Sequence, residues 1–237
     1  GPRLNAYLKW DADGARERAK AADAAFMAKR DLGPLQGIPF SAKDLFGIKG
    51  FQTFSGSPKA LPEKWCEEGP FAKAILEQGA VLTGKTHMVE FALGGLGIYA
   101  HWPVPCNPWD AGDHRVCGGS SSGAGVSLIE GSAAIALGTD TAGSVRVPAS
   151  MTGVVGLKPT AGRWPIDGIV PLSPTLDTPG FLVRSVADAA LVFEVIDAYC
   201  ANREMRELVE FADLSAVRMS GSEAHFWEDC PDDIAAV

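Results

Sequence analysis

The sequence predicts an α/β fold with a largely parallel sheet, because strand and helix patterns alternate along the chain. Gly37–Ala42 is a short apolar run typical of a buried strand. Phe71–Gln78 has helical spacing and ends at Gly79, and Ala80–Thr83 follows as a second buried strand. Two strands joined through a helix form the repeating unit of layered α/β domains with parallel strands.

Length, composition and charge limit the possible classes of protein. A chain of 237 residues can bury a core as one large domain or two small ones, and 46% hydrophobic residues suit a globular protein. The net charge of −8 argues against direct binding of nucleic acid or an anionic membrane. No run approaches the ~18 apolar residues of a membrane-spanning helix. The five irregularly spaced cysteines favour reduced thiols and a cytoplasmic location.

Further elements are predicted on either side of the strand–helix–strand unit. Asp11–Arg30 is a predicted helix, because alanines and a phenylalanine recur on one face. Gly94–Asn107 is rich in glycine, proline and aromatic residues and is predicted to be irregular. Ser185–Tyr199 opens with a Ser-x-x-Asp capping box and is a predicted helix. Ser220–Val237 ends as another helical pattern begins.

The stretch Cys117–Thr160 carries two serine-rich loops between apolar elements. We expect a helix over Gly123–Glu130 and a buried strand over Ala133–Gly138. The second serine loop, Thr139–Val145, precedes another predicted strand at Val154–Leu157. Polar loops at the ends of core elements hold side chains rigidly beside one another, which favours chemistry over packing.

Two motif matches in the sequence are poor candidates. Gly79–Thr86 fits the phosphate-loop pattern G-x-x-x-x-G-K-[ST], but its middle residues are expected to form a strand and not a loop. Gly119–Gly123 fits the nucleophile elbow G-x-S-x-G, centred on Ser121. An elbow follows a buried strand, whereas the residues before it are polar, and His225 is the only histidine after it.

The scattered histidines leave a serine nucleophile without an obvious base. Lysine can act as the base when burial keeps its amine partly neutral. Lys43 directly follows the apolar strand Gly37–Ala42, where its amine can be desolvated. On local sequence alone, a surface lysine that packs its stem and extends its amine to solvent is the favoured interpretation.

Five segments stand out in order along the chain: GIPFSAKD at Gly37–Asp44, GAVLTGKTHMVEFA at Gly79–Ala92, NPWD at Asn107–Asp110, GGSSSG at Gly118–Gly123 and GTDTAGSVRVPAS at Gly138–Ser150. Together, these segments resemble the amidase signature family, and the resemblance runs from about Leu4 to Ala198. The resemblance implies a three-layer α/β/α fold around a mixed, largely parallel sheet, in a single domain over residues 1–237. Family members typically have roughly as much sequence again beyond this length, so we expect the fold to be incomplete on its C-terminal side.

The resemblance also implies a catalytic triad of Lys43, Ser120 and Ser144, with Ser144 as the nucleophile and a cis peptide before Ser120. The implied oxyanion hole is formed by Thr141, Ala142, Gly143 and Ser144. The implied supporting residues are Asp140, Arg146 and Ser121, and the implied substrate-binding residues are Ala92, Leu93 and Gly94.

Three positions depart from the family pattern, and none of them is in the triad. Cys117 stands where the family usually has proline, and Ser122 and Ala142 stand where it has glycine. Cys117 lacks the fixed φ of proline, and Ala142 has less backbone freedom than glycine. These differences bear on the geometry of the two loops.

The function that follows from the resemblance is amide hydrolysis through an acyl-enzyme on Ser144. It implies a small-molecule amide substrate and neither a metal nor an organic cofactor. A homodimer and a partner subunit both remain open. Two alternatives also remain: an amidotransferase A-type subunit that releases ammonia from glutamine, and a non-catalytic scaffold that keeps the fold.

Overall fold

The structure, a computed structural model, describes residues 4–110 and 112–206. The helical pattern at Ser220–Val237 and His225 therefore lie outside the described residues. The main elements in chain order are β1 (Tyr7–Trp10), α1 (Ala12–Met27), β2 (Pro39–Lys43), α2 (Pro70–Leu76), β3 (Val81–Thr86), α3 (Ser122–Ile129), β4 (Ile135–Asp140), α4 (Arg146–Thr152), β5 (Val155–Leu157), β6 (Thr178–Val183) and α5 (Val186–Cys200).

The six strands form one mixed sheet in the order β1-β3-β2-β4-β6-β5. The three middle strands, β3, β2 and β4, are parallel, whereas β1 and β6 are antiparallel to their neighbours. The expected mixed sheet is thus confirmed, with its parallel pairings confined to the centre. The register between β2 and β3 shifts once, after Phe40, because Ser41 pairs with Gly84 and not with Thr83.

Helices cover both faces of the sheet, which confirms the α/β/α layering. Phe181 and Val183 of β6 pack in the large core with α2 and α5. Leu182, between them, packs in a second cluster with residues of α3 and α4. Side chains alternate across a strand, so neighbouring residues of β6 belong to opposite layers.

Trp164 anchors the large core and connects it to a charged cluster. Its ring centroid lies 5.3 Å from that of Phe71, and its indole Nε1 donates to Asp197 Oδ1 at 3.1 Å. Arg163 and Arg203 also donate to the Asp197 carboxylate. These three donors satisfy a carboxylate that α5 carries at the edge of the core.

Three elements in the structure were not predicted. β6 begins Thr-Pro-Gly, and proline and glycine normally disfavour a strand. α4 carries Pro148 in its first turn, where proline is tolerated, and it fills the stretch between the predicted loop Thr139–Val145 and the predicted strand Val154–Leu157, to which no element was assigned. β1 is a short edge strand of four residues. Antiparallel pairing with neighbouring strands stabilises β1 and β6. The local sequence of each strand does not reveal this pairing.

Candidate functional site

The carboxyl ends of the parallel strands β2 and β4 meet at one edge of the sheet. Lys43 is the last residue of β2, and Asp140 is the last residue of β4. The loop Gly118–Ser121 before α3 and the loop Thr141–Val145 before α4 meet at this edge. Sites in open α/β sheets usually lie in the crevice outside the carboxyl ends of the strands.

Lys43 is fully buried, with 0% of its surface exposed. Its Nζ donates to Ser120 Oγ at 2.7 Å and to Thr139 Oγ1 at 2.9 Å. Burial lowers the pKa of Lys43 from 10.5 to about 7, and the charges of Asp140 and Asp177 oppose that change. Both protonation states are therefore populated near neutral pH, where the amine can exchange a proton with a neighbouring hydroxyl.

Ser120 is held by its backbone on both sides. The peptide bond between Gly119 and Ser120 is cis, and the carbonyl of Ser120 accepts from the amide of Val89 at 3.0 Å. The preceding Gly118 has φ of +76°, and a Cβ there would lie 2.8 Å from the backbone of Pro148. A glycine is therefore required at position 118 for the loop to approach α4 this closely.

Ser144 lies half-buried in the turn before α4. Its carbonyl accepts from the amide of Ser121 at 3.3 Å, which joins the two serine loops. The hydroxyl of Ser121 donates to the carbonyl of Thr139 at 3.4 Å. The backbone of Ser144 thus contacts the residue that follows Ser120.

Asp140 organises the loop that carries Ser144. Its carboxylate accepts from the amides of Gly143 at 2.7 Å and Val145 at 3.2 Å, and from the guanidinium of Arg146 at 3.0 Å. Burial acts to raise the pKa of Asp140, but these hydrogen bonds outweigh it and keep the pKa below its usual range. A charged carboxylate at neutral pH fixes the turn before α4.

The amide of Gly143 is already engaged by Asp140, which distinguishes it from the other amides of the predicted oxyanion hole. Within the described part of the chain, the amides of Thr141, Ala142 and Ser144 donate to no protein acceptor. The loop therefore presents three free N–H groups within four residues. Such groups can receive a developing negative charge without first breaking a hydrogen bond.

The segment Ala92–Gly94 has mixed surroundings. Ala92 is buried and lines a cavity of about 10 Å³ that Thr139 and Asp177 also line. Leu93 lies on the surface and is 75% exposed. Phe91 and Ala92 have φ of +45° and +62°, a left-handed conformation that non-glycine residues rarely adopt. Ala92, one of the predicted substrate-binding residues, thus lines a cavity together with Thr139, which accepts from Lys43.

Two residues of the site were not singled out from the sequence. Thr139 is the second acceptor for Lys43, and Asp177 accepts from the hydroxyl of Thr141 at 2.5 Å. Thr139 follows an apolar run, and a paired-strand register would have placed it near Lys43. Asp177 directly precedes β6, which was not predicted, so no local signal indicated it.

The phosphate-loop match at Gly79–Thr86 lies largely within β3, and the predicted strand is confirmed there. Its lysine, Lys85, is buried, lies 3.1 Å from Asp44 and donates to Thr53 at 3.2 Å. Lys85 is therefore part of a buried ion pair on the strand beside β2 and is not available to a phosphate.

The described residues contain no cluster of three or more histidine, cysteine, aspartate or glutamate side chains suited to a metal ion. In the same part of the chain, every helix is too short or too polar to cross a bilayer.

Comparison with known proteins gives a match along nearly the whole chain. A family model described as Amidase matches residues 1–221. The chain is 53% identical over 235 residues to 2-amino-5-chloromuconic acid deaminase of Comamonas testosteroni, covering 99% of this chain and 50% of that protein. It is 40% identical over 215 residues to one component of the glutamyl-tRNA(Gln) amidotransferase of Prochlorococcus marinus, covering 88% and 44%.

Solved structures give the same match. The native peptide amidase of Stenotrophomonas maltophilia superposes with a TM-score of 0.73 at 34% identity, covering 95% of this chain and 44% of that one. The chain spans about half the length of the curated relatives that it matches.

Proposed function

Because the chain belongs to the amidase signature family, we propose that it hydrolyses a linear carboxamide through an acyl-enzyme on Ser144. The observation that carries the proposal is the 2.7 Å hydrogen bond between the buried amine of Lys43 and the hydroxyl of Ser120. A lysine with a pKa of about 7 is a competent base at neutral pH, and an exposed lysine is not.

The proposed relay moves one proton through three side chains. Ser144 attacks the carbonyl carbon of the amide and gives its proton to Ser120, whose own proton passes to neutral Lys43. A serine can serve as the middle member because a hydroxyl both donates and accepts. The charged Lys43 then returns the proton through Ser120 to the departing nitrogen, and water later releases the acyl group as an acid.

The free loop amides supply the stabilisation of charge in this proposal. The carbonyl oxygen becomes negative when Ser144 attacks, and the amides of Thr141, Ala142 and Ser144 are available as donors. Removing one such donor typically costs about 3–4 kcal/mol of transition-state stabilisation. The Asp140–Arg146 pair holds this loop in place, and its role is structural.

A fluorophosphonate probe tests the nucleophile directly. We expect covalent labelling of wild-type protein and loss of labelling in Ser144→Ala. Ser150→Ala, at an exposed serine on α4, is the matched control and should label like wild type. Equal labelling of Ser144→Ala and wild type would reject Ser144, and absence of labelling in wild type would favour the non-catalytic scaffold.

The 53% identity to the deaminase supports a second candidate, hydrolytic release of ammonia from an unsaturated amino dicarboxylate. In that reaction water replaces the amino nitrogen and leaves an oxo acid. The 40% identity to the amidotransferase component supports release of ammonia from glutamine together with another protein chain. Measuring ammonia from a panel of aliphatic and aryl amides, glutamine and 2-aminomuconate-type acids distinguishes the three.

A further inference from the structure

We propose that Asp177 is a positioning residue of this site, linking the oxyanion loop and the surroundings of Lys43 through one carboxylate. The inference rests on the proposed function, since it assigns a role within the same site. It has two parts, a mechanical one at Thr141 and an electrostatic one at Lys43, and each can be tested separately.

The mechanical part follows from the hydrogen bonds of Asp177. Oδ1 accepts from the hydroxyl of Thr141 at 2.5 Å, and Oδ2 accepts from the amides of Leu172 at 2.8 Å and Ser173 at 2.9 Å. The next residue, Thr178, starts β6 and pairs with Asp140 of β4. Thr141 is thus fixed at two points, through its own chain to β4 and through Asp177 to β6.

Fixing Thr141 matters because its amide is one of the free donors of the loop. Asp140 holds the later positions, Gly143 and Val145, through their amides. Asp177 is the residue that holds the first position through its side chain. A donor acts on a developing charge only when it is kept at the correct distance, so both ends of the loop need an anchor.

The electrostatic part follows from how the carboxylates near Lys43 are paired. Asp140 and Asp177 are the two whose charges act on Lys43. Arg146 makes a two-point contact with Asp140, which largely balances that charge. In the described residues, Asp177 meets only one hydroxyl and two amides, and no cation pairs with it. Its charge therefore remains available to stabilise protonated Lys43.

The other charged groups near Lys43 leave this balance unchanged. Asp44 follows Lys43 on the chain and lies 3.1 Å from Lys85 on β3, so those two charges offset each other. The direct contacts of Lys43, Ser120 and Thr139, are neutral hydroxyls. Thr139, which accepts from the amine of Lys43, lines the same small cavity as Asp177.

Two variants separate the two parts of the proposal. Asp177→Asn removes the charge, while the amide oxygen can still accept from Leu172 and Ser173 and the amide NH₂ can donate to Thr141. Thr141→Val removes the hydroxyl and leaves the charge of Asp177 in place. Asp167→Asn, at an exposed carboxylate, is the control for a change in net charge.

The titration of Lys43 is read from its ¹³Cε signal in lysine-labelled protein, assigned by its loss in Lys43→Met. We expect Asp177→Asn to move the midpoint down by about 1 pH unit, the low end of the effect of a nearby opposite charge. Asp167→Asn should leave it in place. A midpoint in Asp177→Asn equal to that of wild type would overturn the electrostatic part.

Thr141→Val is expected to lower kcat about ten- to a hundredfold through a misplaced donor, with the Lys43 midpoint unchanged. Unchanged kcat in this variant would overturn the mechanical part. If wild-type protein shows no labelling at Ser144, the proposed function fails by itself. The ¹³C midpoints still decide the link between Asp177 and Lys43 in that case, because they require no turnover.

Discussion

Replacing Lys43 with methionine should change how the stability of the protein depends on pH. Lys43 is fully buried, and burial lowers its pKa from 10.5 to about 7. Between those two pH values the unfolded chain holds a proton on this lysine and the folded protein does not. Folding must release that proton, so the free energy of unfolding falls as pH decreases through this window.

The size of the effect follows from the shift. Each pH unit within the window changes the free energy of unfolding by about 1.4 kcal/mol. The cost is absent above pH 10.5, grows as pH falls, and levels off below about 7, where it reaches about 5 kcal/mol. Methionine has a similar length and no proton to release, so Lys43→Met should lack this slope.

Urea unfolding of wild type and Lys43→Met between pH 7.5 and about 9.5 measures the difference. We expect the stability of wild type to rise with pH more steeply than that of the variant, by about 1.4 kcal/mol per unit. The slope is the informative quantity, because methionine also leaves two buried hydroxyls without the lysine and so alters stability at every pH. Lys20→Met on the exposed face of α1 is the control. Parallel lines for wild type and Lys43→Met would show that the amine is protonated in the folded state and would refute the reasoning.

Three further predictions concern the site and its support. The value of kcat/KM for an amide should fall about tenfold per pH unit below pH 7, because protonated Lys43 cannot accept a proton; a flat profile from pH 5 to about 8 would contradict this. Arg146→Ala should raise the pKa of Asp140 and destabilise the protein by about 1–3 kcal/mol in urea unfolding, whereas Arg146→Lys should recover only part of the loss, since lysine cannot make the two-point contact. Gly123→Ala should prevent normal folding, because its Cβ would collide with the backbone carbonyl oxygen of Ala6. Gly95→Ala is the control, since it has open space around it and should keep a near-native circular dichroism spectrum and Tm. Equal Tm values for these two variants would argue against the close approach of α3 to the N-terminal segment.

The elements that the sequence predicts well are those whose signal is local. β2 and β4 are short apolar runs, and α5 has both a capping box and a repeating apolar face. β6 was missed because Pro179 and Gly180 weaken its local signal, although pairing with β4 and β5 buries every one of its residues. Tertiary pairing overrides local preference at such a strand.

The residues of the candidate site also separate into those that the sequence predicts and those that it does not. Lys43, Ser120 and Ser144 were named from the ordered resemblance to a family, and local sequence alone favoured a surface role for the lysine. Its complete burial is accompanied by contacts with Thr139 of β4 and with Ser120 in the loop before α3, and no local pattern contains that information. Asp177 could not be found because its position depends on β6, so the missed strand and the missed residue have one cause.

The single register shift between β2 and β3 has a consequence for insertions and deletions. Odd and even positions of β2 belong to different layers, since Phe40 and Ala42 face the large core and Ser41 contacts Ser127 of α3. The extra residue lies in β3, so the count along β2 up to Lys43 is undisturbed. Deleting one residue from β2 would turn the side chain of Lys43 to the opposite face of the sheet, into the large core packed by α2 and α5. β3, in contrast, already contains one extra residue. We therefore expect insertions and deletions to be tolerated in β3 and not in β2.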